Sequence, residues 1–366
     1  MDVGFVTEFK NGVRIFRHVA SAEGFTPIRA GDFDPMDQSY CQHIASGAIP
    51  AAVADSLAYP ELAALRATAA LQIRAHLGVP IRFSDGKVFG TFCCYSRMPH
   101  ADIASCNIAT MTHFAWLIGQ LLETRVQAER TRELLVERLQ GVIAERKLTA
   151  VYQPVWDVAR QQLVGYEALA RFSAEPAQTP DIWFGEAHTV ELGDSMEMLA
   201  IQKALEGLSQ IPEGAYLAIN VSPHTIVSGA LEQALAGAPL DRLVLEVTEH
   251  SSISDYSTIA QALSCLRAGG LRLAVDDAGS GYASFRHILK LKPDVIKLDQ
   301  SLIRHIDHDP GCHALAVALI AFAHETGSSV VAEGVETEEE MATLRQLGVD
   351  TAQGYLLGRP AELPAR

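Results

Sequence analysis

The chain has 366 residues, 48% of them hydrophobic and 20% charged, which is globular composition with material for two domains. Its formal net charge is -15 and its pI about 5.3, so its overall field repels polyanions and makes duplex nucleic acid a poor partner. No apolar run reaches the roughly 20 residues needed to cross a bilayer, so no membrane segment is expected. Met1-Asp2-Val3-Gly4-Phe5 has no basic region followed by an apolar stretch, so no secretory leader is expected either. Six cysteines (Cys41, Cys93, Cys94, Cys106, Cys265 and Cys312) lack Cys-x-x-Cys spacing, and reduced thiols in a cytoplasmic protein are the expectation.

From the N-terminus, Val13 to Val19 has strand character. Val79-Pro80-Ile81-Arg82-Phe83 and Val88-Phe89-Gly90-Thr91-Phe92-Cys93 flank Ser84-Asp85-Gly86-Lys87, a hairpin signal built on Asp-Gly. Helix-like pieces lie between, so residues 1–110 read as a small α+β domain. In 111–147, Phe114, Leu117, Ile118, Leu121 and Leu122 recur at three- and four-residue steps. Leu134, Leu135, Leu139, Val142 and Ile143 follow, with charged residues between and no proline. That spacing predicts a long amphipathic helix. It either packs on its own domains or pairs with its copy in a homodimer.

Residues 148–366 alternate short apolar runs with helix-like segments such as Tyr256 to Ala268 and Ala314 to Thr326. The runs are Leu217-Ala218-Ile219-Asn220-Val221, Leu243-Val244-Leu245-Glu246-Val247, Leu271-Arg272-Leu273-Ala274-Val275, Asp294-Val295-Ile296-Lys297-Leu298 and Ser329-Val330-Val331-Ala332-Glu333. Near-continuous apolar runs fit strands covered on both faces, and repeated strand–helix units imply a parallel sheet. The length suits a (β/α) barrel.

Polar residues stand at or just past the ends of these runs: Glu167, Asn220, Glu246, Asp276, Asp277, Lys297 and Glu333. Unpaired buried carboxylates are costly, but several can coexist around divalent cations. The donors are oxygens with no nearby His or Cys cluster, which favours Mg²⁺ or Mn²⁺ over Zn²⁺. Adjacent Asp276 and Asp277 offer a bridge between two ions, the arrangement that clamps a phosphodiester for in-line attack by water.

Two resemblances follow from the ordered motifs. Residues 1–110 resemble a GAF sensory domain through Tyr40-Cys41-Gln42-His43-Ile44, Val53-Ala54-Asp55-Ser56, Gly78-Val79-Pro80-Ile81 and Gly86-Lys87-Val88-Phe89-Gly90-Thr91-Phe92-Cys93. Cys41 and His43 there invite a haem or bilin reading, but a small buried hydrophobe accounts for such a cysteine. Residues 148–366 resemble the EAL phosphodiesterase family. The carriers are Tyr166-Glu167-Ala168-Leu169-Ala170-Arg171, Asn220-Val221-Ser222 and Leu245-Glu246-Val247-Thr248-Glu249. Val275-Asp276-Asp277-Ala278-Gly279-Ser280-Gly281-Tyr282, Ile296-Lys297-Leu298-Asp299, Ala332-Glu333-Gly334-Val335-Glu336 and Gln353-Gly354-Tyr355-Leu356 complete the set.

The resemblance implies a TIM-like barrel after the GAF-like domain and linker helix, and hydrolysis of cyclic di-GMP to linear pGpG. It implies that Glu167, Asn220, Glu246 and Asp276 bind one metal, and that Asp276 and Asp277 hold the second. Glu333 is implied as general base or second-metal water ligand, and Lys297 as the residue orienting the attacking water. Arg171 would meet a substrate phosphate, although a barrel-rim ion pair is its plainer reading. Gln353, Gln153, Leu169 and Asp299 fall on the substrate side. Glu249 would support the loop Gly279-Ser280-Gly281. The family often has Phe where Ala278 stands, which removes an aromatic anchor and no ligand. The alternative function is an inactive EAL domain that binds cyclic di-GMP as a receptor, or binds only a protein. Such a domain is expected to lose ligands that this chain keeps.

Overall fold

In Val3–Lys10 (β1) the buried side chains begin Val3, Phe5, Thr7, the period-two alternation of a strand with one face on a core. Asn11 and Gly12 both take positive φ, 52° and 78°, and turn the chain tightly into Val13–Ser21 (β2). Four more strands complete an antiparallel sheet: Phe33–Pro35 (β3), Ala52–Val53 (β4), Ala75–Arg82 (β5) and Val88–Ser96 (β6). Their order is β3-β2-β1-β6-β5-β4. Between β5 and β6, Phe83 N–H donates to the Lys87 carbonyl at 2.9 Å, and Gly86 supplies the positive φ of 83°. Helix Tyr40–Ala45 covers one face, with Phe5, Phe16, Cys41, Ile44, Cys93 and Tyr95 in its core. Met111, Ala115, Ile118 and Leu122 pack with Leu77, Val79 and Ile81.

The computed structural model describes residues 1–22, 28–103, 108–247, 255–278 and 282–363, with backbone alone for 282–285. Helix Ile108–Ala144 runs without a break over 37 residues. The chain forms two compact units, Met1–Arg132 and Glu133–Arg366, so the division falls inside this helix. Its last turns belong to the second unit, where Leu139 and Val142 pack with Trp183, Ala187 and Met196. Among the described residues no helix is long and apolar enough to cross a membrane.

The second unit is a closed eight-stranded barrel. Its strands are Leu148–Asp157 (β7), Gln162–Phe172 (β8), Tyr216–Val221 (β9), Leu243–Val247 (β10), Arg272–Ala278 (β11), Val295–Leu298 (β12), Ser329–Ala332 (β13) and Thr351–Ala352 (β14). Neighbours from β8 to β14 pair in parallel, while β7 runs antiparallel to both β8 and β14. The parallel reading therefore needs one amendment. The short link 158–161 between β7 and β8 can close only an antiparallel pair, because a parallel crossover needs a dozen or more residues.

The barrel interior explains where the polar residues go. Val155, Ala218, Val244, Ala274, Val295 and Val331 form one inward layer. Two residues further along their strands stand Asn220, Glu246, Asp276, Lys297 and Glu333, on the same face by the period of two. The intervening Ile219, Leu245, Val275, Ile296 and Ala332 face the helices in the larger core.

Candidate active site

Lys297 is the hub. Its side chain is 2% exposed, and Nζ meets Glu333 at 2.6 Å, Glu246 at 2.7 Å, Asp276 at 3.3 Å and Glu167 at 3.6 Å. Burial works against the ammonium, but these carboxylates hold its proton well above the usual lysine range. Burial, with the neighbouring acids, pushes Glu246 well up and Glu333 up to about 8. At Glu167 burial is outweighed by the Lys297 charge and by hydrogen bonds, so its carboxyl sits below the ordinary value. Those bonds come from Asn220 Nδ2 at 3.1 Å and Gln353 Nε2 at 2.6 Å. Gln353 also donates to Gln153 Oε1 at 2.9 Å, and Gln153 donates to the Gly358 carbonyl at 3.1 Å.

Asp276 and Asp277 reach one site through a backbone irregularity. Successive strand side chains normally point to opposite faces. Asp277 instead takes φ 56°, and the β11–β12 register shifts between Val275 and Ala278. Left-handed backbone is uncommon for a residue with a Cβ, and such positions cluster at functional sites. Here carboxylate oxygens of Asp276, Asp277 and Glu333 come within 4.8 Å of one another, a spacing that fits one hard divalent cation. Gln353 Oε1 is buried without a hydrogen-bond partner, an atom of the kind that a bound group satisfies.

A cavity of about 290 Å³ opens on this cluster, lined by Gln153, Glu167, Leu169, Asp276, Asp277, Asp299, Glu333 and Gln353. Glu246, 3% exposed, and Asn220 lie outside its lining, where Glu246 pairs with Lys297 and Asn220 donates to Glu167. Asp299 is partly committed to its own backbone: Oδ1 caps helix Gln300–Ile303 by accepting from Ser301 N–H at 2.9 Å. Arg171 is not brought to the acids. It is exposed, donates to the Ala170 carbonyl at 2.7 Å, and lines a second, more apolar cavity of about 470 Å³. The two cavities share Leu169. Glu167, Leu169 and Arg171 alternate along β8, so Leu169 and Arg171 stand roughly 7 and 13 Å beyond the acid.

Gln300, Gly334, Glu336 and Tyr355 also line the acidic cavity, and the sequence reading gave none of them a role. The signal for Gly334 was present. Its φ is 70°, and a Cβ there would stand 2.5 Å from that of Gln300. Ala278 is 1% exposed and packs in the outer core. Glu249, Gly279, Ser280 and Gly281 lie outside the described residues.

A barrel that draws acids, an amide and one ammonium from successive strands to one end defines a protein with an oxygen-donor site on a (β/α) frame. Residues 124–360 match the EAL domain model, and residues 6–122 match the GAF domain model. The chain belongs to the EAL domain family. It is 30% identical over 263 residues to the cyclic di-GMP phosphodiesterase NbdA of Pseudomonas aeruginosa, covering 68% of this chain and 33% of that protein. Two solved structures are similar. The MucR phosphodiesterase of Pseudomonas aeruginosa in complex with c-di-GMP has a TM-score of 0.56 and 28% identity, covering 63% of this chain and 98% of that one. Klebsiella pneumoniae BlrP1, a manganese/cy-diGMP complex, has a TM-score of 0.53 and 30% identity, covering 59% and 56%. The chain spans about a third of the length of the curated relatives it matches.

Proposed function

We propose that the barrel unit hydrolyses cyclic di-GMP to linear pGpG. The observation that carries this reading is the convergence of Glu167, Glu246, Asp276 and Glu333 on Lys297, with Asp277 turned into the same cluster. The names of NbdA and of the MucR and BlrP1 complexes support the substrate. The donor set fits two hard cations. Glu167, Asn220, Glu246 and Asp276 would hold one, and Asp276 and Asp277 the second, with Glu333 as a further ligand there or as the base. Bound Mg²⁺ or Mn²⁺ supplies Lewis-acid activation of the phosphodiester and of the attacking water.

The chain's own groups do the rest. Glu333 takes the proton of the attacking water, and the Lys297 ammonium orients that water. The new P–O bond forms in line as the bond to the 3′ oxygen breaks. Arg171 provides a planar fork for a phosphate oxygen. Leu169, Gln153, Gln353 and Asp299 position the nucleotide. The receptor alternative is disfavoured, because the ligands and the base that an inactive domain loses are all present. The GAF-like unit would regulate turnover, and the protein would act as a cytoplasmic homodimer. Exposed Phe114, Trp116, Leu117 and Leu121 on the linker helix support pairing.

The test is chromatography of products with Mg²⁺ or Mn²⁺. Wild type is expected to release pGpG, and Glu333→Gln to lose on the order of 10²-fold or more in turnover. Tight nucleotide binding without product from wild type would establish the receptor reading instead.

A further inference from the structure

The core of the N-terminal unit holds a buried cation that faces a thiol as well as a carboxylate. Arg14 on β2 is 3% exposed, and its ring-side neighbour Phe16 lies 4.5 Å beneath the guanidinium. Its Nε donates to Asp34 on β3 at 2.8 Å, and its Nη2 also pairs with that carboxylate. Its Nη1 donates instead to Cys41 Sγ at 3.2 Å. Cys41, on helix Tyr40–Ala45, and Cys93, on β6, are both 0% exposed, with their sulfurs 3.9 Å apart. Cys93 pairs across the sheet with Gly78 on β5, where a Cβ would stand 2.6 Å from the Cys93 sulfur. Glycine leaves that sulfur the room it occupies.

Asp34 offsets the desolvation of the guanidinium, and the remaining Nη1 is turned to the Cys41 sulfur rather than to a second carboxylate. The other groups around the pair do not compete for that contact. His76 on β5 is stacked on Tyr40 at 4.8 Å and stays neutral, since burial and then the Arg14 charge pull it down to about 3. Burial pushes both thiols up. At Cys41 the hydrogen bond from Cys93 and the Arg14 charge outweigh it and bring the thiol below its usual value, while Cys93 goes well above its own. The Arg14 contact thus favours the thiolate at Cys41 over Cys93, which sets Cys41 as the attacking and Cys93 as the resolving sulfur.

We propose that Cys41 and Cys93 are a dithiol–disulfide redox site, oxidised by hydrogen peroxide, that cross-links helix Tyr40–Ala45 to β6. The Cys41 thiolate attacks one peroxide oxygen. An S–O bond forms, the O–O bond breaks, and hydroxide leaves with Cys41 as sulfenic acid. The Cys93 sulfur then displaces the second hydroxide, which departs as water with the Cys93 proton. Each sulfur gives up one electron, and peroxide takes both. The sulfurs must close from 3.9 Å to about 2.05 Å, the length of an S–S bond.

The experiment uses the full chain treated with hydrogen peroxide, then alkylated under denaturing conditions and mapped by peptide mass. The expected product is a Cys41–Cys93 linked peptide, reversed by dithiothreitol. In Cys93→Ser a sulfenic acid on Cys41 should be trapped by dimedone. Arg14→Gln should slow formation of the Cys41–Cys93 cross-link relative to wild type, because Cys41 loses the charge that favours its thiolate. The proposal is overturned if both thiols are recovered reduced, whatever the state of Cys265 and Cys312. A disulfide that omits Cys41 overturns it too. Should either variant fail to fold, the wild-type cross-link alone decides.

Discussion

Lys297 is one positive charge shared by four carboxylates in a place almost closed to water. Its removal leaves Glu246 and Glu167 buried against each other's charge. Taking one partner from a buried ionic network costs about 3–5 kcal/mol. Lys297→Met is therefore expected to unfold at clearly lower urea concentration than wild type, and to recover part of the difference on adding Mn²⁺. Equal midpoints would show that the ammonium carries no such load. Glu333 leads to a second expectation. Its proton, held up to about 8, must leave before the carboxylate can bind a cation. Apparent Mn²⁺ affinity should thus rise with pH until about 8 in wild type, and rise less steeply in Glu333→Gln. Calorimetric titration across pH measures this directly.

At the level of elements, the loops after β13 and β14 are locked together by close backbone approach. Val335 N–H donates to the Gln353 carbonyl at 3.1 Å, and Leu356 N–H to the Val335 carbonyl at 3.1 Å. A Cβ on Gly354 would stand 2.1 Å from the Val335 carbonyl oxygen. Gly354→Ala must push these loops apart and displace Gln353 from Glu167. It is expected to destabilise the barrel by about 1–3 kcal/mol, the scale of overpacking, and to weaken nucleotide binding. Chemical denaturation and calorimetry would read the two effects separately. The linker helix makes a different statement. Residues 124–134 are all exposed, and Phe114, Leu117 and Leu121 repeat at three and four residues on an exposed side. Leu117→Glu with Leu121→Glu should convert a dimer to a monomer in light scattering without altering the far-ultraviolet spectrum. An unchanged mass would remove this stripe from assembly.

Across the whole molecule, divalent cations should act on one unit alone. A ligand that binds only the folded state raises stability by RT ln(1 + [L]/Kd), about 2.7 kcal/mol at a hundred times Kd. Mg²⁺ or Mn²⁺ is expected to raise the thermal transition of Glu133–Arg366 and leave that of Met1–Arg132 in place, because the described acid cluster belongs to the former. Ca²⁺, which prefers looser and higher coordination, should bind and support poor turnover. Scanning calorimetry with and without each ion checks this.

The apolar runs from Leu217 to Ala332 made the barrel legible in the sequence. Burial on both faces needs such runs, and the acids and lysine that interrupt them stand out against the cost of burying charge. The Asp85-Gly86 hairpin was legible because a tight turn needs those residue types. Asn11-Gly12 carries the same turn chemistry and closes the β1–β2 hairpin. What the sequence could not decide depends on closure. The antiparallel seam of β7, the turn that brings Asp277 beside Asp276, and the exposed place of Arg171 each follow from how distant segments meet. Gln353 and Glu167 lie 186 residues apart and share a hydrogen bond. Arg14 and Cys41 become neighbours only when β2 and helix Tyr40–Ala45 pack together. Periodicity reports which face of a segment is buried, because that is a local property of the backbone. Which charges become neighbours is a property of the closed barrel and the folded sheet, where contacts across the chain set the electrostatics.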